Sequence, residues 1–555
     1  MKNVKKILSL VLVAALTLSL AACSEKKPVS TNTPSSTDAP KETPKILKVQ
    51  LDVEVASMDP QIATDGTSFE VMAAITEGLY SIDQAGSPIM AMAKSVDKSK
   101  DGLTYTFTLK DAKWSNGTAV TAKDFVFAWR RLVDPKVASE YAFIADTAGI
   151  KNADDIATGK KKIEELGVTA KDEKTLVVQL ANPVTFFESL MAFPSFLPVN
   201  EDFFKKAGDK FGSTPDTILG NGPFKIKSYQ PAATSIVLVK NADYWDAAAV
   251  KIAGIEFQVI KEAQQAMLSY KNGDLDIASL SGEQVEQYKA DPEFKTVPAG
   301  YLWYISPNTK IAGLENVNLR KALALSYDKK AVANNILKDG SIGADFAIPT
   351  MLATGPDGKD FRATSKTYLS TDKAKAVEYY NKAKTELGKS AFTYTLLVED
   401  TESAQTVAQF IQSEIKTTLP GVTIKLEVLP KKNRLERMRE GAAGKYELGL
   451  TRWGPDYADP MTYLDMWITG AANNSGSWSN SKYDAIIKSA KVGELSLDAK
   501  KRWEELKNAE AMVMDEAAIL PVYQKGNAVL IKKNVSNVEF HSVGINRGYK
   551  NTTKK

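Results

Sequence analysis

Thr393-Tyr394-Thr395-Leu396-Leu397-Val398 is a strand-like run, followed after a short polar break by a helical pattern over residues 404–419. A second strand-like run covers residues 422–428, a second helical stretch residues 434–440, and a third strand-like run residues 446–452. This alternation predicts an α/β lobe with a largely parallel sheet, because parallel neighbours need a crossover long enough to hold a helix. Other segments read in the same way. Residues 47–53 predict a strand and residues 69–79 a helix. Thr104-Tyr105-Thr106-Phe107-Thr108-Leu109 alternates as a half-buried strand should. Trp114-Ser115-Asn116-Gly117 supplies a turn, and Thr121-Ala122-Lys123-Asp124 an N-cap before a helix over residues 125–132.

The chain has 555 residues, 44% hydrophobic and 25% charged, enough for a folded body of several lobes from Ile46 onward. Residues 24–44 are rich in Ser, Thr, Pro and Lys and hold no aromatic side chain. Such a stretch buries too little to offset ordering, so it is expected to be a disordered tether reaching about 60 Å at full stretch. A glycosylated stalk is compatible with the same composition. The last six residues, 550–555, are polar and expected to fray.

At the other end, Lys2, Lys5 and Lys6 precede an uncharged apolar run over residues 7–22, closed by Leu20-Ala21-Ala22-Cys23. A charged start, a short apolar run and small residues form an export signal, too short to span a membrane comfortably. It resembles a bacterial lipoprotein signal. That resemblance implies removal of residues 1–22 and a lipid on Cys23, holding the protein on the extracytoplasmic face of the cell membrane. Cys23 is the single cysteine, so no disulfide is available and core burial alone must hold the exported body together. Losing a segment with three lysines and no acids lowers the formal charge from +4 to +1, which leaves no footprint for nucleic acid.

The inventory excludes much catalytic chemistry. The single histidine, His541, lies in a strand-like stretch and reads as a surface or structural residue. No CxxC, HExxH or phosphate-cradling glycine motif occurs, so no metal ligand, cofactor or catalytic residue is predicted. Asp274-Leu275-Asp276 lacks the spaced oxygens of a calcium loop and reads as a solvated loop before a strand at Ile277. Carboxylate-only hydrolysis needs a marked pair of acids, and none of the 67 is marked.

Several segments resemble, in order, the family-5 extracellular solute-binding proteins, specifically the oligopeptide-binding lipoproteins of ABC importers. They are Ser57-Met58-Asp59-Pro60, Glu77-Gly78-Leu79, Asp101 through Trp114-Ser115-Asn116-Gly117 to Trp129, Gly220-Asn221-Gly222-Pro223-Phe224, Tyr244-Trp245, Asn318-Leu319-Arg320 and Trp453-Gly454-Pro455-Asp456-Tyr457. The resemblance implies a two-lobed, periplasmic-binding-protein-like clamshell (type II) with an additional inserted domain. Carried over, a main lobe joins 46–78, 199–303 and 522–549, the insertion is 79–198, and the opposing lobe is 304–521. The crossings near Trp303-Tyr304 and Pro521-Val522 are then the hinge.

It also implies a monomeric, non-enzymatic receptor that captures oligopeptides and passes them to an ABC permease with its ATPases. Asp456 is expected to hold the ligand's α-ammonium, with capping of the turn before Pro460 as its alternative and Asp459 as the turn former. The backbone at Arg452, Trp453 and Gly454, and at Thr64, Asp65 and Gly66, is expected to flank the peptide. Trp453 either walls a side-chain pocket or belongs to the core. Where relatives hold a short peptide's carboxylate with basic residues, this chain has Ala404 and Leu450; Arg439, Arg452 and Lys338 lie nearby without a clean match. A same-fold receptor for another solute (a dipeptide, nickel complex, sugar or signalling peptide) and a carboxylate-dependent surface hydrolase are the alternatives, with adhesion or chaperone activity behind them.

Overall fold

A computed structural model of the chain describes residues 45–83, 87–471 and 473–555. The export signal, Cys23 and the tether before Lys45 lie outside the described residues. Two long strands, Phe294–Pro307 and Leu520–Ile531, pair antiparallel and occupy the middle of an 11-stranded sheet. On one side of them the order is Leu448–Trp453, Phe392–Glu399, Val422–Leu429. On the other it is Ile277–Leu280, Ile46–Leu51, Gly254–Val259, Ser235–Lys240, Phe224–Ser228, and the eleventh strand, Ile342–Gly343, pairs with Leu520–Ile531 off this path.

The predicted alternation is present where the sequence placed it. Phe392–Glu399 pairs parallel with both Val422–Leu429 and Leu448–Trp453. The helix Glu402–Thr418 covers them, burying Ala404, Val407, Ala408, Ile411 and Ile415, a stripe at helical spacing. The expectation of a largely parallel sheet holds for these three strands and stops at the centre, since Leu448–Trp453 meets Phe294–Pro307 antiparallel. The ladder between the two long strands is irregular where they pass each other: Trp303 faces Tyr523, Tyr304 faces Pro521, and the register shifts between Trp303 and Tyr304. The Trp303 and Tyr523 rings stack there with centroids 5.6 Å apart.

Residues 93–179 contain a separate antiparallel sheet of four strands, with Thr104–Leu109 as predicted and Tyr105, Phe107 and Leu109 buried on one face. The turn before the helix Ala122–Val133 is tied to it: Trp114 Nε1–H donates to Asp124 at 3.3 Å, and the Thr121 N–H donates to the same carboxylate at 2.7 Å. Gly117 takes a φ of 87° in that turn, a conformation glycine adopts without steric cost.

Three local expectations are corrected. The first predicted helix ends at Ile75, because Thr76 is extended. Asp276 is not solvated: it is 5% exposed and accepts the Lys48 N–H at 2.7 Å. The C-terminal residues do not fray. Thr552 is fully buried, Thr553–Lys554 pairs with Val535–Ser536, and Lys554 reaches Asp276 at 2.6 Å. The polar side chains there find charged partners in the body, which a tally of composition cannot anticipate. His541 is buried, its Nδ1 2.8 Å from the Ile545 carbonyl.

Among the described residues no helix is long and apolar enough to cross a membrane.

Candidate functional site

The end of strand Leu448–Trp453, the start of helix Gly66–Ile75, the segment around Tyr141 and one face of helix Lys431–Arg439 enclose a cavity of about 280 Å³. Thr64, Asp65, Gly66, Arg452, Trp453, Gly454 and Asp456 all line it, so the structure brings the seven predicted residues to one place.

Their side chains differ in what they are free to do. Asp65 is the N-cap of its helix, accepting the Ser68 N–H at 3.0 Å and the Ser68 hydroxyl at 2.6 Å, which fixes its carboxylate. Trp453 is half-buried and donates Nε1–H to the Thr462 carbonyl at 3.0 Å, so it is packed into the core and forms cavity wall at once. Gly454 is required by a close approach: a Cβ there would meet ring carbons of Tyr301 at 2.4–2.8 Å. The same tyrosine's hydroxyl would lie 3.1 Å from a Cβ at Gly66. Tyr301 therefore fits between two glycines from segments far apart in sequence.

Asp456 is the group left without compensation. Its backbone N–H donates to Thr462 Oγ1 at 3.0 Å, and its Oδ1 accepts from the Tyr141 hydroxyl at 3.2 Å. Among the described residues no cation pairs with it. Burial pushes its carboxyl up to about 8; Tyr141 opposes the shift and the nearby Asp465 adds to it. Capping of the turn belongs instead to Asp459, which accepts the Met461 N–H at 2.9 Å and takes both terminal nitrogens of Arg502 at 2.8 Å.

The other end of the cavity is basic. Arg452 donates to both oxygens of Glu399 at 2.9 Å and lies 4.7 Å from the Trp303 ring centroid. Arg434 and Lys431 stand beside them on a helix that begins three residues earlier than the sequence pattern indicated. At the rim, Arg439 reaches Glu140 at 2.6 Å. Ala404 and Leu450 are core residues, and neither they nor Lys338 line the cavity.

Sequence reasoning missed Tyr141, Tyr301, Lys431, Arg434 and Asn546, which hydrogen-bonds the Tyr301 hydroxyl. Tyr141, Tyr301 and Asn546 stand in no periodic pattern or motif that marks them. A basic side chain every third residue from Lys431 was the one available signal.

Residues 87–475 match the bacterial extracellular solute-binding proteins, family 5 Middle. This chain belongs to that family. It is 35% identical to the dipeptide-binding protein of Lactococcus lactis subsp. cremoris (strain MG1363), over 90% of this chain and 93% of the other. A crystal structure of the oligopeptide ABC transporter substrate-binding domain from Bacillus anthracis str. Ames superposes with a TM-score of 0.84 at 41% identity, covering 92% of this chain and 98% of that one. Listeria monocytogenes OppA bound to peptide gives a TM-score of 0.83 at 35% identity, covering 92% and 99%. The expected family and the two-lobed architecture are thereby established.

Proposed function

We propose that this family-5 protein is a non-catalytic, monomeric receptor that captures oligopeptides by lobe closure and hands them to an ABC permease. In this reading the lobes are 46–78 with 199–303 and 522–549, and 304–521, with 79–198 inserted. A lipid on Cys23 holds the receptor outside the cell membrane, and the tether keeps it near its permease. Asp456 takes the peptide's α-ammonium. Backbone at residues 64–66 and 452–454 flanks the peptide main chain, as neighbouring strands would, whatever its sequence.

The observation that carries this reading is a half-buried carboxylate lining the cavity, with no cation among the described residues paired with it. An ammonium entering that site supplies the missing charge and recovers the desolvation cost. The Listeria relative is bound to peptide, and the Lactococcus relative is named for dipeptides.

The test is mass spectrometry of molecules released by denaturing the full chain, purified from membranes in mild detergent without refolding. Mixed peptides with free amino termini are expected, and their lengths define the window. A single non-peptide solute would replace the ligand class. Release of a shortened or chemically altered peptide over time would overturn the non-catalytic assignment.

A further inference from the structure

Asp456, Tyr457 and Ala458 are each held by a different side chain from residues 141–189. The Tyr141 hydroxyl donates to Asp456 at 3.2 Å. The Phe186 ring stacks on Tyr457, with centroids 4.7 Å apart and planes 15° apart. Ser189 Oγ accepts the Ala458 N–H at 3.3 Å. Further along, Asn182 donates to the Lys491 carbonyl at 3.1 Å, and Lys491 Nζ reaches Asp146 at 3.1 Å. Arg502 makes these contacts one unit. It holds Asp459 with both terminal nitrogens, donates Nε–H to the Ala490 carbonyl at 2.9 Å, and lies 5.4 Å from the Phe186 ring centroid. The turn after Asp456 and the end of helix Ser481–Val492 are thereby tied together and presented to Phe186.

Phe186, Ser189, Tyr457 and Lys491 do not line the cavity, so these contacts join its two sides from behind the wall. Their strengths are those of a contact that can part. The ion pair is 20% exposed at Lys491 and 45% at Asp146, where water screens it. The Ser189 hydrogen bond is long. The Tyr457 hydroxyl is buried with no hydrogen-bond partner among the described residues, a cost that separation relieves by admitting water. The stacked rings, both buried, are the one strongly favourable contact.

We infer that Phe186 and Ser189, with the Asp146–Lys491 pair, form a clasp that closes on Tyr457 and Ala458, positions Asp456, and sets how long a captured peptide is held. This rests on the peptide-receptor reading and on its division of the chain, in which 79–198 and 304–521 belong to different bodies. The clasp joins when the lobes close and must break before the peptide leaves. It touches no part of the ligand, so it favours the closed form whatever the peptide's sequence. Phe186 and Ser189 are positioning residues, acting through the two neighbours of Asp456. A contact made only after the ligand has entered slows dissociation and leaves association unchanged.

The test uses tritiated tri-, tetra- and penta-alanine on the full chain in mild detergent. Filter binding gives the association rate, and a chase with unlabelled peptide gives the dissociation rate. Phe186→Leu keeps an apolar side chain and removes the stack. It is expected to speed dissociation about three- to tenfold, with association within about twofold of wild type. Tyr457→Leu is expected to do the same. The double variant should dissociate within about twofold of either single one, because the same contact is lost once. Thermal unfolding without peptide confirms the fold of each variant. If Phe186→Leu does not fold, Ser189→Ala, which loses only a hydrogen bond, replaces it with an expected two- to fivefold faster dissociation, about one hydrogen bond's worth. A lower unfolding temperature with a dissociation rate within about twofold of wild type assigns a packing role alone and overturns the clasp. Single effects that multiply in the double variant overturn it too, and both outcomes leave the peptide-receptor reading intact. Failure of all three peptides to bind the wild-type chain instead refutes that reading, and this inference with it.

Discussion

The Tyr141 hydroxyl donates to Asp456 Oδ1 at 3.2 Å, joining two residues 315 positions apart across the cavity. Tyr141 comes from the segment after helix Ala122–Val133, and Asp456 follows the strand Leu448–Trp453. The contact is neutral donor to half-buried acid, so it orients the carboxylate without cancelling its charge. Asp456→Ala is expected to weaken peptide binding by about 2–5 kcal/mol, the cost of leaving the ammonium unpaired. Tyr141→Phe should cost about 1 kcal/mol, because the charge remains and a single hydrogen bond is lost. Calorimetric titration with a peptide recovered from the protein checks both; equal losses would mean that orientation, not charge, dominates.

The same carboxyl makes closure pH-dependent. Burial pushes Asp456 up to about 8 from an ordinary value of 3.8. A raised carboxyl pKa means that the empty closed form favours the protonated acid. Its penalty is absent below the ordinary carboxylate range, grows as pH rises, and is complete above about 8. The peptide-free protein should therefore open further as pH rises from about 4 to about 8, seen as a larger radius of gyration in X-ray scattering. Asp456→Asn should abolish that change. A radius that stays constant in the wild-type chain would refute the argument.

Gly454 is a packing requirement. Its missing Cβ leaves the space that the Tyr301 ring fills, at 2.4 Å from where that atom would stand. Gly454→Ala should destabilise the fold by about 1–3 kcal/mol through overpacking and shift the Tyr301 ring in the cavity wall. Adding Tyr301→Leu should restore part of the stability without restoring peptide affinity. Denaturant melts of the single and double variants measure the coupling.

Most motifs legible in the sequence turn out to build scaffold. Glu77, Asn221, Tyr244 and Trp245 meet one another: the Glu77 N–H donates to Asn221 Oδ1 at 2.8 Å, Trp245 Nε1–H donates to Glu77 at 2.8 Å, and the Tyr244 hydroxyl donates to the same carboxylate. Asp59 of the Ser57–Pro60 segment receives Arg131, and Arg320 donates to the Leu314 and Ala517 carbonyls. Strands and helices were legible because burial imposes a period on the side chains. The cavity was legible only at Arg452–Asp456 and Thr64–Gly66, where segments resembling the family's reach it. Tyr141, Tyr301 and Arg434 were not, since their meeting depends on antiparallel pairing and on segments far apart in the chain, neither of which leaves a local pattern. Helix Lys431–Arg439 begins three residues before its pattern shows in the sequence, which hides Lys431.

Exposure separates two ion pairs of similar appearance. Arg502 and Asp459 are 4% and 8% exposed at their side chains, and the pair anchors the turn after Asp456. Asp459→Ala strands a buried guanidinium and should cost about 3–5 kcal/mol in unfolding free energy. Arg439 and Glu140 are each 56% exposed, and Glu140→Ala should cost less than about 1 kcal/mol. Urea unfolding of both variants tests the contrast, and a large loss for Glu140→Ala would show that the rim pair carries more than solvent screening permits.

The C-terminal residues offer the sharpest disagreement between composition and structure. The last six side chains, three lysines, an asparagine and two threonines, are all polar and suggest a loose end. Yet Lys550 pairs with Asp246 at 2.8 Å, Lys554 pairs with Asp276 at 2.6 Å, and the Asp276 side chain is 7% exposed. Deleting residues 550–555 leaves Asp276 buried with backbone partners alone and removes the strand pair with Val535–Ser536. The expected loss is about 3 kcal/mol. Lys554→Met in the full chain should reproduce most of it, because the strand pairing stays while the charge goes. If the truncated chain unfolds at the same urea concentration with the same slope, the tail contributes nothing, and Asp276 is satisfied by the Lys48 N–H alone.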